Sequence, residues 1–456
     1  MVASASMRVV IVLLATAVLV VSAHAADAQS IHVATPTEVV RETDPRRFSE
    51  PHLAVHPTDP NRFLAAAFSQ PLSESVPEMH AGGRCSTFVS SDGARTWTRH
   101  DFPMTDCTDP QVAILPDGHA IFVAMANVPG IVPELGSWLV VYHSTDAGVT
   151  WDEKPTVVGR GDHPAVAVDV STSRRKGWIY VTTHHPFTDG NGQQASSVSV
   201  ARSRDGGRTF DPATEVSATS LHDLGEMPVV LTDGTVVSSF VEDAWSEPYF
   251  AVRRGWVMRS TDGGTTFSPP VLVNDSCGPP PGFQLSALAS DASNGPFRDR
   301  LYFACRQSGG GPVVVTHSTN QMHVWNRPGV IVGPRNIDTE ARRVMGLAVN
   351  NKGVLGVHVV ERRLNARDSC LEQTFAASVD GGETFTDPQR VSVSSCGDSR
   401  IDAIATRMFS TYGDYFGIVT LPDGQFRLMW PEMRGGRSMI MTTTVAVDGE
   451  ARTPAR

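Results

Sequence analysis

The stretch Ser260–Phe267 reads S-T-D-G-G-T-T-F, and close copies punctuate the chain at Ser90–Trp97, Ser144–Trp151, Ser203–Phe210 and Ser378–Phe385. A sixth copy, Ser318–Trp325, keeps only the frame. The serines stand at 90, 144, 203, 260, 318 and 378, so successive steps are 54, 59, 57, 58 and 60 residues. A steady period of this size belongs to a propeller or solenoid, in which one supersecondary unit is repeated. Between copies runs a second pattern of strand, tight turn and strand, clearest in "DPQVAILPDGHAIFVAMA", "GEMPVVLTDGTVVSSFVED" and "YFGIVTLPDGQFRLMWPE". The P-D-G and T-D-G turns between β-branched runs are hairpin signals. Gly 39 and Pro 31 in 456 residues, with few helix-length apolar patterns, fit the same all-β class.

Six phrases allow six blades, but the hairpins number seven, starting near Pro51, Pro110, Pro164, Pro228, Leu285, Val344 and Tyr415. The last has no phrase behind it, only one strand, Ser438–Val447, before the chain ends. "VATPTEVVR" (Val33–Arg41) resembles the fourth-strand segment "FDPATEVSA" (Phe210–Ala218), so the N-terminal strand is expected to close the last unit. Closure through both termini removes the exposed sheet edges that invite aggregation. The expectation is an all-β propeller of seven four-stranded antiparallel blades, a single domain over 31–448 with a flexible tail over 449–456.

Arg8, the apolar run Val9–Val21 and the small-residue sites Ala23-His24-Ala25 and Ala26-Asp27-Ala28 read as a secretory signal over residues 1–28, cleaved after Ala25 or Ala28. A run of about 13 apolar residues falls short of the roughly 20 that a spanning helix needs. The protein is therefore expected to be secreted, extracellular or periplasmic, with no membrane span. Six cysteines in an exported chain favour disulfides. Cys85 and Cys107 flank the first phrase and Cys370 and Cys396 the last, as facing strands of one hairpin would; Cys277 and Cys305 pair by elimination. A net charge of -10 without a basic run gives no nucleic-acid footprint.

The phrase resembles the Asp box of sialidases and of a wider set of secreted β-propellers, four copies fitting S-x-D-x-G-x-T-[WF] in full. Its chemistry is structural: Asp92, Asp146, Asp205, Asp262 and Asp380 can accept turn N–H groups, Gly tolerates φ > 0, and the aromatic ring packs between blades. Ca²⁺ at these loops has no support in the motif, whose spacing offers too few oxygens, so no cofactor or metal is required.

In such a blade the phrases and most P-D-G turns share one face, and the long connections lie on the other: Ser69–Arg84, Asn127–Gly136, His184–Ala195, Glu242–Arg254, Arg306–Pro312, Glu361–Ser369 and Pro431–Arg437. There, where the innermost strand begins, stand Glu50-Pro51, Asp109-Pro110, Asp162-His163-Pro164 and Glu226-Met227-Pro228, joined by Asp414 in the last blade. These acids would ring the channel mouth, to act as acid or base, to hold a cation, or simply to bond free backbone N–H groups. At the ends of second strands stand Arg306, Arg362, Arg363 and Arg434, whose guanidinium forks suit a carboxylate or sulfate or are surface solvation.

The resemblance to sialidases implies an arginine triad, Arg306, Arg362 and Arg434, with Tyr415 or Tyr412 as nucleophile and Glu432 as its partner. Sialidases also use an aspartate acid/base, for which the acid ring offers Asp109 and Asp162, with His163, Glu226 and Asp414 expected on the substrate side. The function so implied is a secreted, monomeric sialidase-like glycoside hydrolase acting on an anionic glycan. The alternatives are a polysaccharide lyase, with a His or Tyr base, and a glycan- or protein-binding propeller. His80, His163, His184 and His185 lack tight metal spacing, Gly309–Gly311 opens no helix, and no G-x-S-x-G occurs. Asn274-Asp275-Ser276 is a glycosylation sequon only in a host that glycosylates.

Overall fold

The computed structural model describes residues 29–43, 45–71, 82–132, 138–188, 194–217, 222–225, 227–243, 253–277, 286–307, 311–318, 322, 324–327, 329–332, 339–364, 369–392, 413–434 and 436–453. Alternating and β-branched runs separated by turn residues form antiparallel strands throughout, and no helix occurs among the described residues. Blade 1 comprises Arg46–Val55, Phe63–Pro71, Arg84–Ser90 and Thr98–Asp101 from axis to rim, and blade 2 comprises Thr105–Ile114, Ala120–Asn127, Trp138–Ser144 and Thr156–Arg160. The pattern repeats from Asp162 (blade 3), Val229 (blade 4), Ala287 (blade 5), Thr339 (blade 6) and Ile418 (blade 7), giving the expected seven.

In blade 7 the outer strand comes from the other end of the chain. Ile31–Val33 pairs with Val445–Val447, and Thr37–Arg41 pairs with Met439–Thr442. Blades 3 and 4 differ from the simple scheme. His222–Gly225 pairs antiparallel with Phe240–Asp243 and touches Ser196 in parallel, so two blades share one hydrogen-bonded sheet.

Second strands are buried on both faces, as in Leu301–Arg306, because each blade lies between two others. The core is accordingly a set of wedges. One cluster joins Leu64 and Phe68 of blade 1 to Val112 and Phe122 of blade 2, and others join Ile121 to Val181, Val257 to Phe303, and Phe303's neighbour Tyr302 to Val357. Phe375 packs with Phe426, and Met429 with Phe63, which closes the circle.

The repeated octapeptide forms a self-contained turn. Ser260 Oγ donates to Asp262 Oδ1 (2.7 Å) and accepts Gly264 N–H (2.7 Å); Thr266 donates its N–H to Oδ1 (3.0 Å) and its hydroxyl to Oδ2 (2.7 Å). The same bonds recur at Asp92, Asp146, Asp205 and Asp380. At Asp92 the Thr96 hydroxyl and N–H hold the carboxyl well below the usual carboxylate range. The fourth and fifth places are left-handed, and Ala147 (φ 58°) and Ala94 (φ 65°) adopt that region where glycine is missing. The rings pack between blades as expected, Trp97 against the Phe63 cluster and Trp151 against the Phe122 cluster.

Among the described residues two disulfides form, Cys85–Cys107 and Cys277–Cys305. Neither lies within one hairpin: Cys85 is on the third strand of blade 1 and Cys107 on the first of blade 2, while Cys277 ends blade 4 and Cys305 is in blade 5. The correction follows from the topology, since the chain turns inward to the next blade soon after each phrase. Cys396 lies outside the described residues. The sequon is not free for modification, because buried Asn274 donates its side-chain amide to Thr316 Oγ1 (3.1 Å). The C-terminal tail is docked further than expected, with Ala451 N bonded to Lys352 O (2.8 Å) and Arg452 N to Val379 O (2.7 Å).

Candidate active site

In blades 1, 2 and 3 the innermost strand carries the dipeptides Glu50-Pro51, Asp109-Pro110 and His163-Pro164 at one level. Proline cannot donate to the ladder and excludes the right-handed helical region for the residue before it. At each place the pairing slips, between Ser49 and His52, Thr108 and Gln111, and Asp162 and Ala165. The residue before proline takes a left-handed backbone, with φ of 50° at Glu50, 52° at Asp109 and 49° at His163. A non-glycine residue held there costs on the order of 1–3 kcal/mol. Three such residues in register mark a place where the chain is strained in order to aim side chains.

They are aimed at each other. His163 Nδ1 lies 3.3 Å from Asp109 Oδ1, and Thr108 Oγ1 donates to Asp109 Oδ2 (2.9 Å). His184 Nε2 lies 3.4 Å from Asp162 Oδ2, and its ring stacks on that of His163 with centroids 5.2 Å apart. From blade 7, Asp414 donates its N–H to Glu50 Oε1 (3.3 Å) and accepts Arg343 Nη1 of blade 6 (3.4 Å). Tyr415 donates its hydroxyl to Pro110 O (3.3 Å). Gly413 makes room for this contact: a Cβ there would lie 2.0 Å from Glu50 Cγ, and its φ is +92°.

Groups from five blades meet in this way only near the axis, where the innermost strands converge. Burial, then the charges of Asp109 and Asp414, pushes the Glu50 carboxyl well above the usual range. Asp414 is raised by burial against the opposing pull of His163 and Arg343. For His163 burial works toward the neutral form, but Asp109 and Asp162 outweigh it and raise the imidazole well above its ordinary value. Burial, with Glu50 and Asp109 nearby, raises the Tyr415 phenol well above its own.

The network borders an open cavity of about 680 Å³, counting the solvent-open space, whose lining comes from the innermost strands of all seven blades. Its polar wall is His52, Gln111, His163, Asp414 and Tyr415, and its apolar wall includes Met227, Leu288, Met345, Leu347 and Ile418. His52 Nδ1 accepts Val112 N–H (3.2 Å), and burial lowers its pKa to about 4. The neutral ring therefore carries its proton on Nε2 and is a hydrogen-bond donor. The ligand atoms of Asp109, Asp162 and His163 lie within 4.8 Å of one another, the one grouping among the described residues with metal-ligand spacing.

Of the acids anticipated at the mouth, Glu50, Asp109, Asp162 and Asp414 meet there with His163. Glu226 and Tyr412 lie outside the described residues. Arg306 and Arg434 do not line the cavity. Arg306 is buried in blade 5 with Nε donating to Gly311 O (3.2 Å), and burial lowers its pKa. Arg434 donates to Glu432 Oε1 (2.5 Å), which also binds Trp430 Nε1 through Oε2 (3.1 Å), so Glu432 is engaged within blade 7 instead of with Tyr415. Arg362 is on the strand Leu355–Leu364, its side chain outside the described residues. The reason is that second and third strands run on as arms, as in the register Arg434 to Arg437 and Thr188 to Gln194, where long loops were expected. The strand-2 ends thus stand off the axis. The guanidinium at the mouth is Arg343, inside the innermost strand Thr339–Val349 of blade 6; its place directly before Val344, where the hairpin is read to start, is its one signal in the sequence.

No family model matches the chain, and no curated protein does. Solved structures are similar to it in fold. An α-L-arabinofuranosidase of Fusarium graminearum in complex with arabinobiose is 10% identical over 90% of this chain and 97% of its own, with a TM-score of 0.50. An α-L-arabinanase of Penicillium chrysogenum is 12% identical over 91% and 98%, with a TM-score of 0.49. A Trypanosoma rangeli sialidase is 11% identical over 91% of this chain and 57% of its own, with a TM-score of 0.44. At these identities the likeness is one of fold alone: the chain is a seven-bladed β-propeller.

Proposed function

We propose that the protein is an exported glycoside hydrolase that works at the channel mouth. The observation that carries this reading is the network of three strained pre-proline residues, of which His163 reaches an open cavity together with Asp414 and Tyr415, while Glu50 and Asp109 stand behind them. Buried carboxyl groups beside such a cavity are the equipment of acid–base cleavage of a glycosidic bond. Asp414, on the cavity wall, is the carboxyl placed to exchange a proton with the glycosidic oxygen. Glu50 is a positioning residue behind it, bonded to the Asp414 backbone. The arabinobiose complex of the Fusarium propeller supports a glycan in this fold. The disulfides and the apolar N-terminal segment support export.

An anionic sugar was the sequence expectation, and the mouth argues for a neutral one. Arg343 is engaged by Asp414 and His163 by Asp109, so both cations at the mouth already carry a carboxylate partner that a sugar carboxylate would have to displace. A panel of nitrophenyl glycosides that includes α-L-arabinofuranosides and sialosides tests the reading. Turnover of a neutral glycoside is expected, with Asp414→Asn lowering kcat by about 10²–10⁴-fold. Glu50→Gln is expected to retain more activity and to shift the pH profile. No turnover of any glycoside, or an unaffected Asp414→Asn variant, overturns the reading. A lyase is the second reading, favoured by His163 and Tyr415 on the cavity wall. Ultraviolet absorbance from a new conjugated double bond on uronate polymers, lost in His163→Gln, would establish it instead.

A further inference from the structure

We propose that Asp109, Asp162 and His163 form a binding site for a first-row divalent cation, Mn²⁺ or Zn²⁺, on the blade 2 and 3 side of the channel mouth. The three ligand atoms lie within 4.8 Å of one another, so a shift of a few tenths of an ångström brings the widest pair within the roughly 4.4 Å that two bonds of about 2.2 Å span. The placement is built into the backbone, since Asp109 and His163 hold left-handed conformations in matching bulges of neighbouring blades. A separate observation at Glu50 points to the same ion. Glu50 is 6% exposed, and its Oε2 meets no N–H donor: what faces it is the carboxyl of Asp109, with which it can at most share one proton. A buried carboxylate oxygen turned toward a second carboxylate is stabilised by a cation placed between them.

The donor set selects the ion. Two carboxylates and one imidazole suit Mn²⁺ or Zn²⁺ better than Mg²⁺ or Ca²⁺, which favour oxygen alone. His163 lines the cavity, so the cation would be accessible to a glycan hydroxyl from that side. The site goes beyond the hydrolase reading and is tested without any glycan, so either can fail alone.

The test is equilibrium binding of Mn²⁺ and Zn²⁺ to the chelator-stripped full chain by calorimetry, with metal analysis after dialysis. About one equivalent is expected. Asp162→Asn and His163→Gln should each weaken binding by about tenfold or more. His32→Gln, a surface change at the His32–Asp448 contact, should bind as the parent does. Circular dichroism verifies the fold of each variant. Should a variant not fold, pulsed electron paramagnetic resonance of the Mn²⁺-loaded parent decides through the histidine nitrogen coupling. Absence of binding, binding unchanged in the two variants, Ca²⁺ binding as tightly, or no nitrogen coupling overturns the proposal.

Discussion

At Glu50 the chain accepts two unfavourable features together, a left-handed backbone at a non-glycine residue and a carboxyl buried beside other carboxyls. Its folded-state pKa is raised, so the native state binds the proton more tightly than the unfolded chain. Stability is then fully present below the ordinary carboxylate value and is lost as pH rises from there toward the folded value. Glu50→Gln should therefore be more stable than the parent at neutral pH in the presence of a chelator, with the gain vanishing toward pH 4. Urea denaturation at the two pH values measures this, and a variant less stable at pH 7 would refute the account. "EP", "DP" and "DHP" at the innermost strands are readable in the sequence as acids at a mouth. That the residue before each proline sits at φ near 50° is not, because a dipeptide does not state which of its allowed conformations the ladder imposes.

Among elements, the blades are held by wedges of apolar packing and, at two places, by covalent links across neighbouring blades. Cys85–Cys107 closes a separation of 22 residues and Cys277–Cys305 one of 28, each stabilising by about 3 kcal/mol in the chain-entropy account. Cys277→Ser with Cys305→Ser should lower the unfolding free energy by about that amount, read by urea titration without reductant. The closing strand makes a sharper case. Ile31–Arg41 covers the edge of Arg437–Val447, and its removal exposes a long strand to intermolecular pairing. A chain lacking residues 29–41 should form larger species than the parent on size-exclusion chromatography, whereas an unchanged elution volume would show that closure is dispensable. The likeness of "VATPTEVVR" to a fourth-strand segment made this strand legible. The misplacement of the cysteines within hairpins shows the opposite limit, since spacing alone does not distinguish the strand behind a phrase from the first strand of the next blade.

For the whole molecule, opposing buried groups shape the response to pH. His52 and His358 are held neutral by burial, with pKa values lowered to about 4 and about 3. The unfolded chain binds their protons first, so stability falls as pH drops below the ordinary histidine range, by up to about 1.4 kcal/mol per pH unit for each. Glu50 acts in the opposite sense above its ordinary pKa, so the Glu50→Gln variant should show the steeper acid limb in a melting series from pH 7 to 4. A flat profile in that variant would contradict the burial of the two histidines. The sequence alone determined the repeat, its turn and the closure, because a turn bonded within eight residues and a period of 54 to 60 are local and countable. Only the tertiary structure decided which charged groups meet. Asp109, Asp162, His163, Arg343 and Asp414 come together because seven innermost strands converge on one axis and bulges turn their side chains inward. Arg306 and Arg434, at similar places in their blades, bond within those blades instead, because the ends of second strands stand off that axis.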